Sequence, residues 1–209
     1  MLTLETSRLL LAPTPISVMR ERLERADFVA DMPIGRTRDA AAGRLTVRFP
    51  AEWPGDDVLA MLPAWIARRE RLPDPAPWCD CVLVRREDRL AVGSMGFKAS
   101  PDATGMVEIG YAVNVSLRGH GYATEMVSAL VAWALLRPEV RRVTAECLEA
   151  NLASARVLEK TGFGRAGRRA GEEGLLLLWE RRSPGIERKP PAAANGAATG
   201  PGIQLSEPG

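Results

Sequence analysis

Arg118-Gly119-His120-Gly121-Tyr122-Ala123 is the stretch on which the reading of this chain turns. It joins a strand expected over residues 107–113 to a helix expected over residues 124–136. Two glycines in such a turn let the backbone approach a pyrophosphate and offer it amide hydrogens, while small residues at 119, 121 and 123 keep side chains out of the way. The positive end of the helix dipole favours the same anion, so the site needs no metal. The hexapeptide predicts a cradle for a cofactor phosphate.

Downstream, Met126, Val127, Leu130, Val131, Ala134 and Leu135 form one apolar face, which predicts a helix buried against a sheet. Pro138 ends it, and residues 140–148 read as a parallel strand completing a crossover unit. Asn151, Ser154, Ala155 and Leu158 then mark a shorter helix, with Gly162 at its C′ position. Residues 175–180 read as the closing strand.

Upstream, Cys79, Cys81, Leu83 and Arg85 alternate with Asp80, Val82, Val84 and Arg86, the period of a strand. Glu87-Asp88 turns this strand into an antiparallel partner over 90–97, where Gly93 and Gly96 mark bulges or close approaches. Residues 106–113 make the third strand of the meander. Near the N-terminus, residues 8–12 read as a strand stopped by Pro13, followed by a short helix carrying Ile16, Met19, Leu23 and Ala26. Residues 28–54 have no clear period and are punctuated by proline and glycine. They are read as a long loop, either a region of acceptor recognition or a connection, with Trp53 packed locally. Asp56 or Asp57 is expected to cap a helix bearing Leu59, Leu62, Trp65, Ile66 and Arg69, kinked or begun at Pro63. Arg68, Arg69 and Arg71 read as its solvated face.

The 209 residues allow one domain plus a tail. A charge of +2 creates no field that argues for nucleic acid. Cys79, Cys81 and Cys147 are an odd set without C-x-x-C spacing, beside a single histidine, which argues against a zinc cluster or a disulfide framework and fits a reducing cytoplasm. Residues 1–8 lack the apolar character of a signal peptide, and no apolar run is long enough to span a bilayer. The proline-, glycine- and alanine-rich residues 183–209 are expected to be a disordered tail outside a domain spanning 1–182.

A dinucleotide fingerprint fails because Thr124 stands where a third glycine or alanine is needed, and no G-x-x-x-x-G-K-S/T is present. The hexapeptide instead resembles the Q/R-x-x-G-x-G/A loop of the GNAT superfamily of N-acetyltransferases. Glu108-Ile109-Gly110-Tyr111-Ala112-Val113, Asn151-x-x-Ser154 and the run Val157-Leu158-Glu159-Lys160-Thr161-Gly162-Phe163 extend the resemblance. Glu5-Thr6-Ser7-Arg8-Leu9-Leu10-Leu11 is similar to the branch containing ribosomal-protein-alanine N-acetyltransferases.

The resemblance implies a single α/β (α+β) domain whose mixed, mostly antiparallel sheet is flanked by helices and splayed at the cofactor site. It implies acetyl-CoA as donor, no metal, and a primary amine as acceptor, either a protein N-terminus or a small molecule. No nucleic acid or membrane partner is implied, and the chain would act as monomer or homodimer. Amides of Arg118, Gly119, His120, Gly121, Tyr122 and Ala123 would bind pyrophosphate, aided by Thr124. Backbone at Ala112 and Val113 would pair with pantetheine, with the Val113 amide polarising the thioester carbonyl, and Asn151 would bond the arm or adjacent backbone. Glu108 is the expected base, its pKa raised by burial, or else a structural acid paired to a neighbouring strand. Leu158 stands where the family's usual general-acid tyrosine would be, so the proton for the leaving thiolate comes from elsewhere or from solvent, with Ser154 as the candidate side chain. Tyr111 and Tyr122 read as packing or cofactor-lining residues. The alternative function is a non-catalytic acyl-CoA-binding regulatory module.

Overall fold

Alternating hydrophobicity and turn chemistry lay out ten strands and four α-helices in the described residues of the computed structural model, which are 2–35, 43–71 and 77–183. Residues 184–209, nearly all of the expected tail, lie outside them. In chain order the elements are β1 (Leu4–Glu5), β2 (Leu9–Pro13), α1 (Ile16–Glu24), β3 (Phe28–Pro33), β4 (Arg44–Phe49), α2 (Asp56–Arg71) and β5 (Asp80–Arg85). There follow β6 (Leu90–Phe97), β7 (Met106–Val113), α3 (Tyr122–Leu135), β8 (Arg142–Leu148), α4 (Leu152–Lys160), β9 (Gly164–Gly171) and β10 (Gly174–Arg182).

The sheet runs β1-β2-β5-β6-β7-β8-β10-β9, antiparallel except where β7 meets β8, and β4 joins β6 in parallel beside this path. Strand alternation sends residues to opposite faces. Leu9, Leu11, Cys81, Leu83, Val107 and Ile109 meet Met126, Leu130 and Leu158 of α3 and α4 in one core. Leu10, Val82 and Val84 pack on the other face with Phe28, Val47, Phe49 and Trp53. Met19, Leu62 and Ile66 bind α1 to α2 in a smaller third cluster. All three cysteines are buried, with no disulfide among the described residues.

The expected long loop at 28–54 is corrected by the structure. Phe28 to Pro33 pairs antiparallel with Arg44 to Phe49, and Leu45, Val47 and Phe49 are buried at every second position. The rings of Phe28 and Phe49 stack at 4.8 Å, Trp53 meets Phe49 edge-on, and the indole Nε1 donates to the Gly93 carbonyl at 3.0 Å. Three apolar positions of period two were enough to build the strand, although the surrounding glycines and prolines hid them. The aspartates expected to cap α2 instead occupy its first turn, where their charge suits the dipole, and Leu59 N–H bonds back to the Gly55 carbonyl. Pro63 lies inside this helix. The arginine-rich β9, exposed along nearly all its length, was not foreseen because it has no buried face to impose a period.

Glycine at 93 and 96 is required by close approach. A Cβ at Gly93 would lie 2.2 Å from the Ala112 carbonyl oxygen, and one at Gly96 would lie 2.2 Å from that of Cys79. The feature that positions the site is a divergence of strands. β7 and β8 pair only at Met106↔Arg142, Val107↔Val143 and Glu108↔Thr144, after which β7 continues to Val113 beside β6 while β8 continues beside β10. The sheet is therefore split from Ile109 onward.

Candidate functional site

At the end of β7 a single 3-10 turn, Val115–Leu117, delivers the chain to the glycine loop. Gly119 and Gly121 have φ of 83° and 79°, the left-handed region that side chains rarely adopt. A Cβ at Gly119 would meet no atom within 4 Å, so the space over the loop is open. Gly121 is the N-cap of α3 and offers no side chain to its amides, which leaves the first-turn N–H groups for a ligand. The donor set fits a pyrophosphate. The exposed His120 holds Nδ1 3.1 Å from the carbonyl oxygens of both Leu117 and Arg118, and its ring stacks on Tyr122. Ala123 and Thr124 follow in the first helical turn.

Glu125, also in that turn, would repel a phosphate, but the N-terminal segment occupies it. Its carboxylate accepts from the Thr6 hydroxyl at 2.5 Å, Arg8 N–H at 3.2 Å and Arg8 Nε at 2.7 Å, while Arg8 Nη1 donates to the His120 carbonyl at 3.0 Å. Burial disfavours the charge on Glu125, yet the bonds from Thr6 and Arg8 outweigh it and hold the carboxyl below its ordinary value. Arg8 thus braces the loop and neutralises its acid. Sequence reading missed this pairing, because its members are 117 residues apart.

Lys98 N–H bonds to the Glu108 carbonyl and Asn114 N–H to that of Val92, so the even-numbered residues of β7 turn their backbone to β6. By the same alternation Tyr111 and Val113 face the gap. The expected pairing through Ala112 is corrected accordingly: its backbone serves the ladder to β6, and the backbone groups turned to the gap are those of Tyr111 and Val113.

Across the gap, the exposed Asn151 caps α4 by accepting from Ser154 N–H at 3.0 Å through its Oδ1. Ser154 and Tyr111 are brought together, with their hydroxyl oxygens 2.7 Å apart. Burial pushes the Tyr111 phenol up to about 12, with the Ser154 bond opposing, so the phenol stays protonated at neutral pH. Leu158 is wholly buried and contributes packing alone.

On the opposite face, a cavity of about 410 Å³ lies between α2 and the strands β5 to β7. Val58, Met61 and Trp65 form its helical wall, and Gly96, Gly110 and Ala112 contribute to its floor. Gly96 and Gly110 are paired across β6 and β7; the missing side chain of Gly110 leaves room beneath the helix, whereas the space over Gly96 is taken by the Cys79 backbone. Glu108 is on the same side of β7 but its carboxylate is ion-paired with Lys98 and 26% exposed, so the buried base expected there is a partly exposed, partnered acid. Arg69, expected on a solvated face, is largely buried 3.7 Å from Asp80, and neither Arg69 Nε nor Asp80 Oδ2 has a hydrogen-bond partner. Burial raises the Asp80 pKa above its ordinary value despite the Arg69 charge. Glu52 accepts from the backbone N–H and the hydroxyl of Ser116. Among the described residues no group of three metal-ligating side chains comes together, and no helix is long and apolar enough to cross a membrane.

Comparison with known proteins places this geometry. Residues 30–164 match the acetyltransferase (GNAT) domain family. The chain is 32% identical over 163 residues to the uncharacterized N-acetyltransferase YjdG of Bacillus subtilis, spanning 78% of this chain and 90% of that protein. The ribosomal-protein-S5-alanine acetyltransferase of Vibrio fischeri shares the fold at a TM-score of 0.56 and 16% identity, covering 90% of this chain and 100% of that one. RimL, a ribosomal L7/L12 alpha-N-protein acetyltransferase solved in complex with coenzyme A, does so at 0.58 and 14%, covering 87% and 98%.

Proposed function

Because the chain belongs to the GNAT acetyltransferase family and is an acetyl-CoA-dependent N-acetyltransferase, we propose that its split sheet brings donor and acceptor together from opposite faces at the end of β7. The observation that carries this reading is the divergence of β7 from β8 beyond Glu108, directly before a loop with two left-handed glycines. Amides of residues 118–123 hold the pyrophosphate. Backbone groups of Val113 and Tyr111 pair with the pantetheine arm, as an added strand would, and Asn151 adds a side-chain contact from α4.

Bound acetyl-CoA supplies a thioester open to direct attack by a neutral amine. The protein's residues must then orient the amine, receive its proton and supply another to the departing thiolate. A backbone N–H facing the gap at Tyr111 or Val113 is suited to stabilise negative charge on the carbonyl oxygen. The Tyr111–Ser154 hydroxyl pair holds a proton at the gap and replaces the missing tyrosine at position 158. Glu108 lies three residues from Tyr111, roughly 10 Å along an extended strand, so it takes the amine proton through water rather than directly. The acceptor is a primary amine admitted through the cavity under α2.

Calorimetry with acetyl-CoA and a thiol-release assay across an amine panel test the reading. Saturable release with at least one amine, reduced in Glu108→Gln, is expected. Tight acetyl-CoA binding with no release from any amine would instead favour the non-catalytic binding module.

A further inference from the structure

The cavity beneath α2 has a chemistry of its own. Its helical wall repeats apolar residues at Val58, Met61 and Trp65, the spacing of one helix face. Met61 is half exposed there, although Leu62 and Ile66 of the same helix are buried against α1. Val58 and Trp65 also pack against that cluster, so the cavity wall is continuous with the α1 contact and Met61 is its half-exposed member. On the floor, Gly110 differs from its partner Gly96. A Cβ at Gly110 would meet nothing within 4 Å and its φ lies outside the left-handed region, so neither contact nor backbone strain requires glycine there. The empty position is available to a ligand.

The charges set a second condition. Arg68, Arg69 and Lys98 line the cavity, and the only carboxylate among its lining residues is Asp80, which lies beside Arg69. Glu108 is paired with Lys98 at the rim, and Glu52 is held by Ser116. A ligand bearing several positive charges would enter without a free counter-charge and against like charge. A single amine meets the same field, but the field favours its neutral form, because nearby cations and an apolar wall both lower the pKa of an ammonium. The neutral form is the one that attacks a thioester. The surroundings that exclude a polycation therefore assist the reaction of a monoamine.

We propose that the acceptor is a primary monoamine carried on an apolar, ring-bearing body, of the arylalkylamine class, seated between Trp65 and the glycine floor. This rests on the cavity being the acceptor side of the transferase. The ring covers Gly110 and packs against Val58, Met61 and Trp65, and the amino group points along the floor toward Ala112 and the end of β7. The apolar volume, about 410 Å³, suits a small ligand with few polar groups.

The test has two arms. In the first, 2-phenylethylamine, spermidine and a short peptide with a free N-terminus are titrated into the full chain without acetyl-CoA and followed by calorimetry. The arylalkylamine is expected to bind at least tenfold more tightly than the other two. Gly110→Val, which fills the floor, should weaken its binding about tenfold while leaving the acetyl-CoA dissociation constant unchanged. Met61→Lys, at the exposed mouth, should do the same by adding a cation and serves should the first variant not fold. In the second arm, kcat/KM from thiol release should rank the three acceptors in the same order. Preference for spermidine or the peptide, or arylalkylamine binding indifferent to both substitutions, would overturn the proposal. In the unsubstituted chain, 2-phenylethylamine binding without acetyl-CoA binding would instead discard the donor-site reading and leave the cavity assignment standing.

Discussion

The proposed donor and acceptor sides of this protein are built by opposite strategies. The donor side is backbone: left-handed glycines, the free amides of α3 and the unpaired edge of β7, almost all within residues 109–125. The proposed acceptor side is side chain: one face of α2, the open floor at Gly110, and charges from α2, from β5 and from Lys98 just past β6, gathered from residues 58–112. Their carboxylates differ in the same way. Glu125 is held below its ordinary pKa by donors supplied from the N-terminus, whereas burial raises Asp80 even with Arg69 alongside. A site that receives a fixed chemical group can be made of peptide units and tolerate few substitutions. A site that distinguishes among amines needs side chains that can vary without disturbing the sheet.

The sharpest way to break this contrast is Gly121→Val. It places a branched residue at a φ of 79° and crowds the first amides of α3, so acetyl-CoA should bind about 100-fold more weakly, a loss of about 2.7 kcal/mol. Arylalkylamine binding should remain, and calorimetry with each ligand separates the two. The paired glycines come next. Gly96→Ala drives a Cβ to within 2.2 Å of a carbonyl oxygen and should cost roughly 1–3 kcal/mol in urea unfolding, whereas Gly110→Ala, facing open space, should change stability by about 0.5 kcal/mol or less. Equal losses would show that the cavity floor is not open.

Tyr111→Phe should lower kcat about tenfold with acetyl-CoA affinity retained, and combining it with Ser154→Ala should add little, because one hydroxyl pair is lost in either case. Additive losses would separate the two roles. The smallest effects concern pH. The stabilisation from Glu125 is complete above the ordinary glutamate value of 4.5 and is lost as pH falls through the lower folded-state pKa. Asp80 acts in the opposite sense, since its penalty is full above the raised folded-state pKa and is relieved as pH falls through it toward 3.8. Unfolding free energies measured from about pH 3 to pH 7 should therefore move against Glu125→Gln and in favour of Asp80→Asn, each relative to wild type, as pH rises.

Legibility followed the same division. The glycine loop and the left-handed Gly162 could be read because each is a demand on local backbone, and Gly93 and Gly96 could be read as bulges or close approaches though not what they approach. The hairpin of β3 and β4 was hidden by the prolines and glycines around it, and β9 had no buried side to show. Tyr111 could be read as a packing or cofactor-lining residue, but its hydrogen bond to a residue on another element could not.

The sequence by itself determined the order of the sheet's central strands and a helix directly after the glycine turn, which it expected from residue 124 and which begins at Tyr122. These depend on φ, ψ and periodicity, which are properties of neighbouring residues. Only the tertiary structure decided that Arg8 neutralises Glu125, that Tyr111 meets Ser154 and that α2 stands over a glycine floor. Those relations join segments far apart in the chain, and they arise only once the packed sheet has fixed which side chains share a space.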